Sequence, residues 1–245
     1  MLVGPIGAKN VQAVVNEVGQ QTAIVVPGEA RAPAMGVAPS LERRVGALVG
    51  LAEAQARDRI VVLAPDNGYG RRAVKAIESA AAGRFSKPLV VRTYPPQTTT
   101  FGPHVNPVMT ALRSETALLV PDTLARTELL VRQLARSGRM PAHDDVPGLM
   151  VLTTAEGVDP EGLARARDVL EGVWVVPAAA RGPEADAFSA AYVRLQGSPP
   201  GDQALLLFYA LSQAIGGQPS SAAGQATPTR VQGGRLVVQS QTAAR

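Results

Sequence analysis

Glu156 is the residue of this chain best placed for ionic chemistry. It lies in Thr153-Thr154-Ala155-Glu156-Gly157, directly after the apolar run Gly148–Leu152. If that run is a strand of a parallel α/β sheet, Glu156 stands at the carboxyl edge, where ligands of such folds collect. The alternative is an ordinary exposed loop carboxylate. A second candidate is Gly68-Tyr69-Gly70-Arg71-Arg72-Ala73, a glycine-rich turn between a strand and a helix. It has the look of a dinucleotide fingerprint, but Pro65-Asp66-Asn67 separates it from the strand, and Arg92-Thr93 ends the next strand where an acidic residue is needed. The simpler reading is a turn at Asp66-Asn67-Gly68 with Gly70 capping the helix.

Other chemistry is poorly supplied. There are no cysteines, which excludes a thiol nucleophile, a disulfide framework and Cys-ligated metal. The two histidines, His104 and His143, leave little for a metal site or a triad. His143-Asp144-Asp145 reads as a solvated loop, because adjacent residues rarely converge on one ion. His104 reads as a surface or helix-start residue. Ser40, Ser79, Ser114, Ser137 and Ser189 lack a Gly-x-Ser-x-Gly elbow. The expectation is no metal, no cofactor and no catalysis.

The 245 residues allow one large domain or two small ones, with 46% hydrophobic and 18% charged residues to build a proper core. The net charge is +4, yet only three of the 24 basic residues are lysine (Lys9, Lys75, Lys87), and Arg43-Arg44 and Arg71-Arg72 are isolated pairs. Spread charge and 4% aromatic residues argue against a nucleic-acid surface. No apolar run reaches the roughly 20 residues that span a bilayer. The opening MLVGPIGAKN carries no secretion signal, which read alone points to the cytosol.

Short β-branched runs alternate with amphipathic stretches, the pattern of a parallel sheet covered on both faces by helices. The strands are expected at Leu2-Val3, Ala23–Val26, Arg59–Ala64, Pro88–Thr93, Thr116–Val120, Gly148–Leu152, Gly172–Val176 and Arg235–Gln239. Helices are expected at Ala8–Gly19, Leu41–Ala56, Tyr69–Ala82, Phe101–Arg113, Leu124–Ser137, Pro160–Leu170, Pro183–Gln196 and Gly201–Ile215. In the second helix Leu41, Val45, Leu48, Val49, Ala52 and Ala56 recur at three- and four-residue steps and mark its buried face. Gly216–Thr229, rich in Gly, Pro, Ser and Ala, reads as a loop before a short closing strand.

The order of segments resembles the type I periplasmic-binding fold, in particular the branched-chain amino-acid receptors. Val3-Gly4-Pro5-Ile6 is similar to a strand-end turn of that family, and Ala23–Pro33 to its ligand loop. Ile60–Gly70 is similar to the first strand and Tyr-Gly helix start of its second lobe. Tyr94-Pro95-Pro96, Ala117–Pro121, Ala155-Glu156-Gly157, Glu171-Gly172-Val173 and Tyr209-Ala210 follow in the family's order. The resemblance implies an α/β chain of two hinged lobes, residues 1–57 plus 173–217 and 58–172 plus 218–245, gripping a small polar ligand of amino-acid or amide type. Its implied ligand set is Gly28, Glu29, Ala30, Tyr69, Asp122 and Glu156: backbone groups of Gly28 and Glu29 for a carboxylate, Tyr69 closing over the ligand, and Glu156 for an α-ammonium. After Gly4-Pro5 this chain has Gly7-Ala8-Lys9 where the family supplies a hydroxyl. It also has Glu29-Ala30-Arg31 in place of an expected Thr, and Pro121-Asp122 where a tyrosine is often found.

The implied role is extracytoplasmic solute capture for an ABC transporter, with a permease as partner. Tyr94-Pro95-Pro96 with Phe101, and Leu119-Val120-Pro121-Asp122, are also similar to the penicillin-binding-protein activator lipoproteins, which dock to a peptidoglycan synthase. That is the alternative. A receptor of this family has further strands and helices before the Val-Gly-Pro turn. The chain is therefore expected to be a fragment, or to have a misassigned start, lacking part of the first lobe. Its targeting region would then lie outside this sequence and its place would be the periplasm.

Overall fold

A computed structural model describes residues 1–4, 8–18, 22–29, 32, 34–143, 146–216 and 224–239. Ten strands and nine α-helices follow one another among them. They are β1 (Leu2–Val3), α1 (Ala8–Val18), β2 (Ile24–Glu29), β3 (Met35–Ala38), α2 (Leu41–Ala54), β4 (Arg59–Pro65), α3 (Gly68–Ala81), β5 (Val90–Tyr94), α4 (Gly102–Val105), β6 (Thr116–Val120), α5 (Leu124–Arg136), β7 (Met150–Thr153), α6 (Pro160–Arg165), α7 (Arg167–Leu170), β8 (Trp174–Val175), α8 (Pro183–Gln196), α9 (Asp202–Gly216), β9 (Thr229–Gln232) and β10 (Arg235–Val238).

They form two sheets, a parallel β1-β2-β3 and a larger β10-β9-β8-β7-β6-β4-β5. The larger is parallel except where β9 runs antiparallel to β8 and β10. Side chains alternate across each strand, so a sheet covered on both faces needs apolar residues at every position. In the large sheet Ile60, Val62, Leu119 and Leu152 meet Leu41, Val45 and Leu48 of α2 and Ile77 of α3. Val61, Leu63, Leu118 and Val151 face Leu130 and Leu134 of α5, together with Phe101 and Leu163. In the small sheet Val25 and Val37 pack on Leu205 and Tyr209 of α9, while Ile24 and Val26 pack on α1 through Val11. The expected boundaries at 57 and 173 differ from this packing at α2 and β8, which both belong with the large sheet.

Most elements lie within a residue or two of expectation; Gly19 and 217–223 of the expected loop lie outside the described residues. The helix expected over 101–113 ends after one turn and continues as a 3-10 segment, Asn106–Val108, because Pro107 has no N–H to extend it. The helix expected over 160–170 is interrupted at Ala166, whose ψ of 9° starts a new turn. Two short strands escape the periodicity, β3 and β9, and the closing strand is half of a hairpin through Gly233-Gly234. Helix α2 ends in a Schellman turn, with Arg57 N–H bonding Ala52 O (3.1 Å) and Ala56 N–H bonding Glu53 O (2.9 Å). Ala56 takes the left-handed conformation (φ 53°) that glycine usually fills there.

Candidate functional site

The carboxyl ends of β2, β4 and β7 point to one region, where the small and large sheets meet. Helices starting there need caps, and the sequence supplies them. Ser40 accepts from Arg43 N–H (3.3 Å), and Asn67 accepts from Gly70 N–H (2.8 Å). Asn67, and not Gly70, therefore caps α3. Gly70 is required for a different reason: a Cβ there would lie 1.9 Å from the carbonyl oxygen of Pro65. This tight junction sets Tyr69, the second residue of α3, at the sheet edge.

Beyond β7, Ala155 is fully buried and left-handed (φ 40°), with its N–H bonded to Thr153 Oγ1 (3.0 Å). An L-residue held there stores strain, and here it turns the chain so that Glu156 leaves the sheet edge. The Glu156 backbone is pinned to the neighbouring strand end, its N–H to Asp122 O at 3.1 Å.

Glu156 is the centre of a charged cluster. Arg44 of α2 forms an ion pair with its Oε1, and the Tyr69 hydroxyl donates to the same oxygen at 2.7 Å. Tyr69 also lies 2.7 Å from Thr154 Oγ1. Arg44 is only 3% exposed, whereas the Glu156 side chain is 31% exposed. Burial works against the Arg44 charge, but the Glu156 carboxylate and, further off, Glu29 outweigh it and its pKa is raised. Burial, and then the Glu156 charge, push the Tyr69 phenol well above its ordinary value, so it stays a neutral donor.

Glu29 brings the small sheet into this cluster. Its Oε1 stands 3.8 Å from Arg44 Nη2, and its Oε2 is 2.6 Å from Arg72 Nη2. Arg72 grips Glu42 with two bonds of 2.8 and 2.9 Å, which hold the Glu42 carboxyl at a pKa of about 2. Below them α9 begins with Asp202, 3% exposed, paired to Arg181 at 2.5 Å and joined through its N–H to Val158 O at 3.2 Å.

Three of the expected ligand residues, Glu29, Tyr69 and Glu156, thus meet, with Glu29 present through its carboxylate. Gly28 lies beside Glu29 in β2, where an added Cβ would meet nothing within 4 Å. Ala30 lies outside the described residues. The Asp122 carboxylate faces away, accepting from Tyr94 Oη (2.8 Å), Arg126 Nε (2.7 Å) and Thr123 N (2.7 Å). Only its main chain reaches the cluster. Arg44, Arg72 and Thr154 were not expected. The His104 ring is centred 6.0 Å from that of Tyr94 and tilted 54° to it, and His143 Nδ1 sits 3.2 Å from Pro141 O. Asp144 and Asp145 lie outside the described residues. No helix of the described residues is long and apolar enough to cross a membrane.

No protein-family model and no curated protein matches the chain. Solved structures do. An amino acid ABC transporter substrate-binding protein from Pseudomonas fluorescens Pf-5 superposes with a TM-score of 0.66 at 15% identity, covering 88% of this chain and 61% of that one. A leucine binding protein from Thermotoga maritima MSB8 gives 0.70 at 15% identity, covering 97% and 78%. A solute binding protein of an ABC transporter from R. palustris, in complex with benzoate, gives 0.69 at 12% identity, covering 97% and 76%. The chain thus spans about three fifths to four fifths of these proteins. Two helix-flanked, largely parallel sheets meeting at their carboxyl edges, and the superposition on these structures, make the fold of this chain the type I periplasmic-binding fold.

Proposed function

We propose that the chain is a solute-binding protein, closing two lobes around a small polar ligand and acting by binding rather than by catalysis. The observation that carries this reading is the meeting of Glu29, from the small sheet, with Arg44 and Arg72, whose helices pack on the large one. A half-exposed charged cluster between two separately packed cores is where a ligand shifts an open–closed equilibrium. One lobe is built on β1–β3 with α1, α8 and α9, the other on the large sheet. Tyr69 and Glu156 contact the ligand, with Gly28 and Glu29 opposite them.

The similar structures are named for an amino acid transporter, for leucine binding and for a benzoate complex. That supports a periplasmic setting with an ABC transporter permease as partner, and favours solute capture over docking to a peptidoglycan synthase. The test is a thermal-shift panel of amino acids, amides and carboxylates, followed by small-angle scattering. A ligand at about 100 times its Kd adds about 2.7 kcal/mol, a rise of roughly 5–10 °C in Tm, and should shrink the radius of gyration. No stabilising compound, or stabilisation without compaction, would overturn the reading.

A further inference from the structure

We propose that Arg44 sets what the cleft accepts: its guanidinium holds the cationic place at Glu156, so the site takes a neutral N–H donor such as a carboxamide and rejects a free α-amino acid. The inference rests on the solute-binding reading and names its ligand class.

An α-amino acid brings an ammonium, which needs a carboxylate once desolvated, and a carboxylate, which needs donors or a cation. Glu156 is the carboxylate on the large-sheet side, and Arg44 already neutralises it. Arg44 cannot step aside cheaply. It is 3% exposed, its Nε is buried without a partner, and its remaining contacts are Thr154 O at 3.4 Å and Glu29 at 3.8 Å. A ligand ammonium that captured Glu156 would leave a buried guanidinium nearly unpaired.

The ligand carboxylate fares no better. The cluster holds three carboxylates (Glu29, Glu42, Glu156) against two guanidinium groups (Arg44, Arg72), a surplus of one negative charge. The neighbouring cations are directed elsewhere: Arg43 to Gly224 O (3.5 Å), Arg71 to Asp66 (2.9 Å) and Arg181 to Asp202 (2.5 Å). A neutral amide meets neither obstacle. Both bonds to Glu156 fall on Oε1, and no described residue donates to Oε2, which is left as an acceptor for an N–H.

Isothermal titration of the full chain with matched series tests this: leucine, isocaproamide and isocaproate, then phenylalanine, hydrocinnamamide and hydrocinnamate. The amide should bind at least about tenfold more tightly than the amino acid with the same side chain. Arg44→Met should erase that preference by freeing Glu156 for the ammonium, and Arg44→Lys should keep it. The wild-type ranking is decisive even if Arg44→Met does not fold. An amino acid or carboxylate that matches or beats its amide overturns the inference, as does an unchanged ranking in folded Arg44→Met. If neither series binds while another compound still compacts the protein, this inference alone falls. If nothing binds at all, the solute-binding reading falls with it.

Discussion

Arg44 and Glu156 form an ion pair although 112 positions separate them, and one partner is buried while the other reaches solvent. The asymmetry decides what each is worth. Removing a partner from a buried charge costs about 3–5 kcal/mol, and the exposure of Glu156 and nearness of Glu29 reduce this. Glu156→Gln should therefore destabilise by about 2–3 kcal/mol in urea unfolding, with an unchanged m-value.

Arg72 ties Glu29 of the small sheet to Glu42 of α2 but is 40% exposed. Such a bridge contributes no more than about 1 kcal/mol and weakens with salt. Arg72→Ala should shift the open–closed ratio by up to about fivefold towards open, read as a larger radius of gyration without ligand. The difference from wild type should shrink in about 1 M salt.

Asp202 sits in a dry place, and burial lifts its pKa to about 6 against the pull of Arg181. A raised carboxyl pKa means that the folded state holds its proton more tightly than the unfolded one. The stabilisation is complete below about pH 4 and is lost as the pH rises through about 6. Unfolding midpoints measured from pH 4 to 7 should carry this falling component, and Asp202→Asn should remove it.

Two exchanges between glycine and alanine should have opposite signs. Ala56→Gly relieves a left-handed alanine at the end of α2 and should stabilise by about 0.5–1 kcal/mol. Gly70→Ala drives a Cβ against the backbone of Pro65 and should cost about 2 kcal/mol or more. It should also weaken any ligand that Tyr69 contacts. Thermal unfolding of the two variants checks both signs.

Glu156 and Tyr69 were readable because their position after a β-branched run places them on a sheet edge whatever the details of packing. Arg44 was visible in principle. It falls on the stripe of Leu41, Val45 and Leu48, and a charged residue on a buried helical face needs a partner. Counting only apolar residues passes over it. Asp122 shares the edge but lies i, i+4 from Arg126, and the Tyr94 hydroxyl claims it from β5, so its carboxylate serves the core of the large sheet. Strand β3 was missed because a four-residue segment with a glycine and an exposed methionine has no period to read. The break at Pro107 was legible but outweighed by the apolar spacing around it.

The small sheet has a consequence for synthesis. Val25 in β2 finds its cover in Tyr209 of α9, and everything that builds the large sheet except its last hairpin is made between them. At about 5–20 residues per second these strands wait on the order of ten to forty seconds for that helix. Throughout that time Val25 of β2 and Val37 of β3 lack the α9 face that covers them, while Ile24 and Val26 already have α1. A slow stretch of translation placed after the large-sheet segment would lengthen this exposure, and a holding chaperone would find its target in β2 and β3.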